Sequence, residues 1–456
     1  MKLAALVVCL ASIAACGDDG GARKLPDAPP SDGELPDAPD PLAPARITIT
    51  RAGAPVEGAA VYFQNADSTL VAKVLTDADG VAEATVMPGA FVTTVNPFLN
   101  TAPPSGARTD EIRTFGGVQP GDQLKLNETM RDAFAFVNVT VDENPLGIEY
   151  RMFSTCIDVR DPFFLSTGSG SGSAGRPTGT ASFLNCGATT DLVVESHDGS
   201  GVPNGFLYKQ NVAVVDGGAI DLTGPYQAMP AQTLTLTNVP ASVGSFALRF
   251  SLAAANGPVW AVSNDAGVTS GTSTWSFQRP VLAGATAIVE STPLSGSQFG
   301  PQTVVDWKPI ADAQTYSYAD ALLRPFTAAP TYDVATHAMT WTEGSGAAPD
   351  FVVGAVQATR NAGPLVWSWR LIGPATGPTL VYPTLPPEIA QYNFLATDNV
   401  SISDLATAKV PGGYSAAFRS LVFAASKNAF LHGAPYDDFV AGASGRAVVQ
   451  TYFELR

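Results

Sequence analysis

The residues whose types and spacing could do chemistry are few: adjacent carboxylates at Asp437 and Asp438, the histidines His197, His337 and His432, an acidic pair at Asp77 and Asp79, and two tryptophans at i and i+2, Trp367 and Trp369. A glycosidase would need two carboxyls flanking a sugar across about 5 to 9.5 Å, but neighbours on a strand point to opposite faces. His197-Asp198-Gly199 and His432-Gly433 read as turns. The histidines are too scattered for a ligand set. Asp77 and Asp79 stand where a calcium loop would begin, yet Val81, Ala82 and Ala84 intervene where further ligands would be needed. No metal site and no cofactor are expected. The chain has no G-x-S-x-G, H-E-x-x-H, P-loop or dinucleotide fingerprint, so no catalytic residue is assigned. The glycine-rich run at 166–179 is not followed by Lys-Ser or Lys-Thr and reads as a loop, not a phosphate cradle. A nucleophile triad, whose members need not be neighbours, is left open.

On a strand, Trp367 and Trp369 share one face. If that face is covered they are core, the reading the sequence favours. If it is open they form a platform that stacks on sugar rings and become the candidate ligand-binding residues.

The elements that would carry these residues begin with a leader. Lys2 precedes an apolar run at 3–13, too short for the roughly 20 residues that span a bilayer. Ala14 and Ala15 then lead to Cys16. This resembles the lipobox of bacterial lipoproteins. The resemblance implies a signal peptide at 1–15, palmitate or a similar acyl group on Cys16, and attachment to a membrane through that lipid. Gly17, in place of the aspartate that usually signals inner-membrane retention, leans toward the outer membrane or cell surface. With Cys9 removed in the leader and Cys16 acylated, Cys156 and Cys186 remain as an even pair in an exported chain and read as one disulfide.

Composition sets further bounds. A net charge of −16 disfavours nucleic acid as a partner and disfavours contact of the protein body with anionic lipid. Carbohydrate or protein is the candidate ligand. Residues 16–44, acidic and broken by prolines, have almost nothing to bury and read as a disordered tether. With 14% charged residues, 43 Gly and 36 Pro, the rest reads as many short strands joined by tight turns.

Ile47 and Ile49 alternate with threonines, Asp79-Gly80 is a hairpin signal, and residues 122–127 read as a closing strand. The runs GAPVEGAAVYF, TDADG and MPGAFVTTV resemble the carboxypeptidase regulatory-like and related bacterial Ig-like domains over roughly residues 45–130, with Phe91 in place of the usual tyrosine. That resemblance implies a seven-strand β-sandwich used as an accessory, spacer or adhesive module, with no catalytic residue to transfer.

Downstream, Phe134 to Val141 opens a second β region. Phe246, Leu248, Phe250 and Leu252 fall on one face of a half-buried strand, and short helical turns are expected at 318–323 and 387–392. Residues 446–456 should close the fold as a strand. The expected fold class is all-β: tandem antiparallel β-sandwich domains at 45–132, 133–295 and 296–456. The functional expectation is a surface-anchored lipoprotein acting as a binding or scaffold module of the cell envelope. The alternative is a secreted-type hydrolase, glycan- or peptide-directed, with its site in region 133–456. A concave cleft holding converging carboxylates or a histidine would favour the enzyme.

Overall fold

Alternation along β1 (Ala45–Arg51) shows how the layers form. Ala45, Ile47 and Ile49 are fully buried while Arg46 is exposed, so the strand has one face in the core and one outside. The computed structural model describes residues 43–51, 54–98, 109–128, 134–155, 162–166, 176–184, 189–240, 245–254, 257–267, 271–293, 302–318, 322–360, 365–414 and 444–452. Cys16, the leader, most of the tether, Cys156, Cys186, His432, Asp437 and Asp438 lie outside the described residues.

The first stretch continues with β2 (Ala54–Pro55), β3 (Ala60–Gln64), β4 (Leu70–Leu75), β5 (Val81–Ala84), β6 (Ala90–Phe98), β7 (Thr109–Val118) and β8 (Gln123–Glu128). One layer is β5-β1-β8, with β1 antiparallel to β5 and parallel to β8, and the other is β4-β3-β6-β7. The second stretch holds β9 (Phe134–Val141), β10 (Glu149–Ser154), β11 (Phe163–Leu165), β12 (Thr178–Leu184), β13 (Thr189–His197), β14 (Pro203–Ala213) and β15 (Ala219–Leu222). Its layers are β12-β9-β15 and β11-β10-β13-β14, and β9 is again parallel to the last strand. The third holds β16 (Ala231–Val239), β17 (Ser245–Ala254), β18 (Gly257–Gly267), β19 (Gly271–Gln278), β20 (Thr286–Pro293), β21 (Gln302–Pro309) and β22 (Ala313–Ser317), layered as β19-β16-β22 and β18-β17-β20-β21. Apart from the two-residue β2, which pairs with β1, one seven-strand topology is thus used three times among the described residues.

The fourth stretch is a variation on it. β23 (Thr331–Asp333), β24 (Ala338–Thr340), β25 (Phe351–Arg360), β26 (Leu365–Pro374), β27 (Thr379–Val381), a 3-10 helix (Pro387–Tyr392), β28 (Asn399–Lys409) and β29 (Gly445–Tyr452) form layers β27-β24-β23 and β26-β25-β28-β29. Here β23, antiparallel to β24, stands where the other stretches place their parallel last strand. The 3-10 helix coincides with the helical turn expected at 387–392; of the one expected at 318–323, residues 319–321 lie outside the described residues.

Strand pairing then knits three stretches together. β21 pairs antiparallel with β29 and β26 pairs parallel with β7, giving one sheet of 12 strands from β18 to β4. β20 and β21 lie on either side of the boundary expected at 295/296 and pair with each other, and the topology of the first two stretches recurs from β16. The strand expected to be half-buried, β17, is covered on both faces: Arg249 and Ser251 are buried, and Ala253, Ile288, Val305 and Trp307 form a second small cluster.

Asp79-Gly80 is a tight turn but not a hairpin, because β4 and β5 belong to different layers. Asp77 Oδ1 accepts the amide hydrogens of Asp79 and Val81, and Gly80 sits at φ +73°. A side chain at Gly80 would run into the Ile49 carbonyl oxygen and the Val56 nitrogen. Gly58, at φ +78°, has nothing within 4 Å of the same position. Both Gly→Ala changes carry the left-handed strain of roughly 1–2 kcal/mol, but only G80A adds a backbone clash. We expect G80A to be the more destabilising by about 1 kcal/mol or more, read from denaturant midpoints; equal midpoints would show that the crossing between layers yields easily.

Candidate functional site

Two neighbouring strands of the second stretch carry alternating charges on one face. β10 and β13 pair so that Glu149 lies opposite His197 and Arg151 opposite Glu195. Residues at i and i+2 share a face, so all four side chains project together. Arg151 Nε donates to Glu149 Oε1 at 2.6 Å, and His197 Nε2 lies 3.0 Å from Glu195 Oε2. Glu195 and His197 are buried, whereas Glu149 and Arg151 are 40% and 33% exposed.

Their hydrogen bonds fix where protons sit. His197 Nδ1 is 3.1 Å from the Gly201 carbonyl oxygen, which can only accept, so Nδ1 carries hydrogen. The contact between Nε2 and Oε2 is a hydrogen bond only if a proton lies between them, as an imidazolium with a carboxylate or as a neutral imidazole with a carboxylic acid. The other carboxyl oxygen of Glu195 accepts from Trp260 Nε1 at 2.6 Å. Trp260 stands on β18 of the third stretch, so this carboxyl joins one sandwich to the next.

Around that joint the packing is apolar. Phe153, Val193 and Phe206 from the second stretch belong to the same cluster as Leu234, Phe250 and Trp260 of the third. Beside it opens a cleft of about 540 Å³, lined among others by Arg151, Phe153, Glu195, His197, Trp260 and Phe277. Its size is that of an ordinary small-ligand site. A concave site with a carboxylate and a histidine is what the hydrolase alternative called for. Both ring nitrogens of His197 and both oxygens of Glu195 are, however, already engaged, which suits a lock between sandwiches better than a general base.

The structure does not bring the sequence candidates together here. Trp367 and Trp369 are fully buried, so the sugar-platform reading of this pair is corrected to core. Both rings stack on Phe394, at 6.0 and 5.3 Å between centroids, and Trp369 Nε1 donates to Thr114 Oγ1 at 3.0 Å. The covering comes from the 382–394 segment, whose approach no alternation in β26 could reveal. Asp77 serves the turn described above. His337 sits at φ +53° with its ring against Phe394. Among the described residues no group of three or more His, Cys, Asp or Glu side chains could hold a metal ion. His197, read as part of a turn, ends β13 as a buried side chain, and the turn begins after it. The missed signal was Glu149-Tyr150-Arg151 and Glu195-Ser196-His197, charges at strand spacing where apolar residues would be expected.

Comparison with known proteins places this arrangement in no family. No family model matches the chain, and no curated protein does. The likeness of residues 45–130 to regulatory-like domains therefore remains one of short motifs. Among solved structures, the TIE protein of Bacillus anthracis aligns over 60% of this chain at 11% identity with a TM-score of 0.15, and the alignment spans 50% of that protein. The tip fimbrial protein Mfa3 of Porphyromonas gingivalis aligns over 39% of this chain and 81% of its own, at 9% identity and a TM-score of 0.16. GBS52, a minor pilin of Streptococcus agalactiae, aligns over 41% of this chain and 97% of its own, at 12% identity and a TM-score of 0.17. Such scores carry no functional argument. The all-β, tandem-sandwich fold rests on the strand pairing itself.

Proposed function

We propose that the chain is an exported, lipid-anchored protein of the outer membrane or cell surface, acting as a binding and scaffold module. The observation that carries the reading is the junction between the second and third sandwiches: a cleft of ligand size next to an apolar interface, in which the buried polar atoms of Glu195 and His197 have partners already. Sheet pairing that joins the first, third and fourth stretches supports the scaffold part of the proposal, since one sheet resists bending at its seams. The leader, Cys16 and the acidic, proline-rich segment after it support display from a lipid, and the pair Cys156 and Cys186 supports an oxidising compartment.

The hydrolase alternative draws on the same Glu195 and His197. It requires one of them to release its present partner, and the binding reading does not.

The anchor is tested by changing Cys16 to Ser. One acyl chain binds a membrane only marginally, with a partition constant on the order of 10⁴ M⁻¹, whereas two signals hold stably. Wild type should take up a fatty-acid label and sediment with membranes. The C16S protein should take up none and either become soluble or persist as precursor. Unlabelled wild type, or processed C16S protein that stays on membranes after a high-salt wash, would exclude lipid anchoring.

A further inference from the structure

The geometry points to the junction cleft as the seat of an extended peptide segment that adds along the edge of β18 and presents a carboxylate to Arg151. This deepens the binding-module reading and rests on it.

The first ground is the way the third sandwich borders the cleft. Successive residues of a strand alternate between its two faces, yet Trp260, Ala261, Val262 and Ser263 all line the cleft, as do Ser276, Phe277 and Gln278 of β19. A cleft bordered by consecutive residues runs along the strands' edges and not over one face. β18 is the terminal strand of the 12-strand sheet, and β19 is terminal in its own, so among the described residues neither has a strand partner on its outer side. Exposure also rises along β18, from buried Trp260 and Ala261 through half-buried Val262 to exposed Ser263, so the edge leads out to solvent. β10 and β13 pack against β18 and its inner residues Val259 to Ala261 are buried, so the edge is open from Val262 outward, and there it offers amide and carbonyl groups to an added strand, with affinity from the main chain and selectivity from neighbouring pockets.

The second ground is Arg151. Its Nε is held by Glu149 and its guanidinium lies 5.6 Å from the Phe164 ring centroid. Among the described residues no hydrogen bond is made by its two terminal nitrogens. A guanidinium fixed in this way is suited to a carboxylate, which can take two parallel hydrogen bonds. Glu195 and His197, the other titratable groups lining the cleft, are turned to each other and to Trp260, leaving Arg151 to set the charge of the ligand. A sugar is the weaker fit, because stacking needs an open ring face: Phe153 and Trp260 are 3% and 1% exposed, and half-buried Phe277 already packs on Phe250 and Trp275, at 5.0 and 4.2 Å between centroids.

The test uses the purified mature chain in detergent, titrated calorimetrically with the acetylated, amidated peptide Val-Thr-Val-Asp-Val. Two controls vary the carboxylate: the same peptide with Asn for Asp, and the Asn peptide with a free C-terminal carboxylate. We expect saturable binding of a carboxylate peptide, at least tenfold weaker binding of the neutral one, and loss of that difference in R151Q. R151K, which keeps the charge without the fork, should retain part of it. Which carboxylate peptide binds tells whether a side chain or a chain end is recognised. Equal binding of charged and neutral peptides, no binding of either carboxylate peptide at millimolar concentration, or binding of a galacturonate oligomer in their place would each overturn the assignment. None of these results depends on where the cell places the protein, so they leave the Cys16 experiment to decide the anchor separately.

Discussion

Deleting residues 446–456 should leave no soluble, cooperatively folded protein. A closing strand is often an edge that can fray, but β29 lies inside the sheet, paired to β21 through Gln302 to Trp307 on one side and to β28 through Leu405 to Lys409 on the other. Val448 and Gln450 are buried, and Arg446 makes a two-pronged ion pair with Asp306 at 2.8 and 3.0 Å. Removing the strand would divide the 12-strand sheet, expose two new unpaired edges and open the core beneath them. Exposed edges with apolar flanks pair with other chains and aggregate. The measurement is soluble yield together with a melting curve. A truncated chain that stays soluble and melts in one sharp transition would show that the sheet does not depend on its shared strand.

The second large effect is at Glu195. In E195A, Trp260 Nε1 and His197 lose a buried partner at once, and each buried polar group left unsatisfied costs about 1 to 3 kcal/mol. Glutamine should rescue most of this. Its side-chain oxygen can accept from Trp260, and its amide can donate to an unprotonated His197 Nε2 while Nδ1 still donates to Gly201, so every polar atom keeps a partner. We therefore expect E195A to lower the unfolding free energy by about 3 kcal/mol and E195Q by less than about 1 kcal/mol. Unfolding in denaturant, followed by tryptophan fluorescence, separates the two. If E195A were as stable as wild type, the carboxyl would not be joining the sandwiches.

What the sequence made legible, and what it hid, follow the range of the forces involved. Alternation is local, so the strand from Phe134 to Val141, the buried row Phe246, Leu248, Phe250 and Leu252, and the closing strand could all be read from neighbours along the chain. Pairing between distant strands is not local. Nothing in residues 109–118 announces that they pair with 365–374, and nothing in β20 or β21 alone announces that the two pair with each other. The site was hidden for the same reason. Glu195 and His197 were visible as charges at strand spacing, but Trp260 becomes their partner only when two sandwiches meet. Trp367 and Trp369 show the converse: their shared face was readable, while its cover by Phe394 was not.

Display at the surface is the claim on which the proposed role stands, and labelling of intact cells tests it most directly. Lys73 and Lys209 are exposed on the folded chain, so an amine reagent that cannot cross membranes should reach them when the protein faces the medium. The account predicts modification of both lysines in washed, unbroken cells expressing wild type, at a level close to that in lysed cells. Modification only after lysis would place the protein inside the envelope and contradict a surface role.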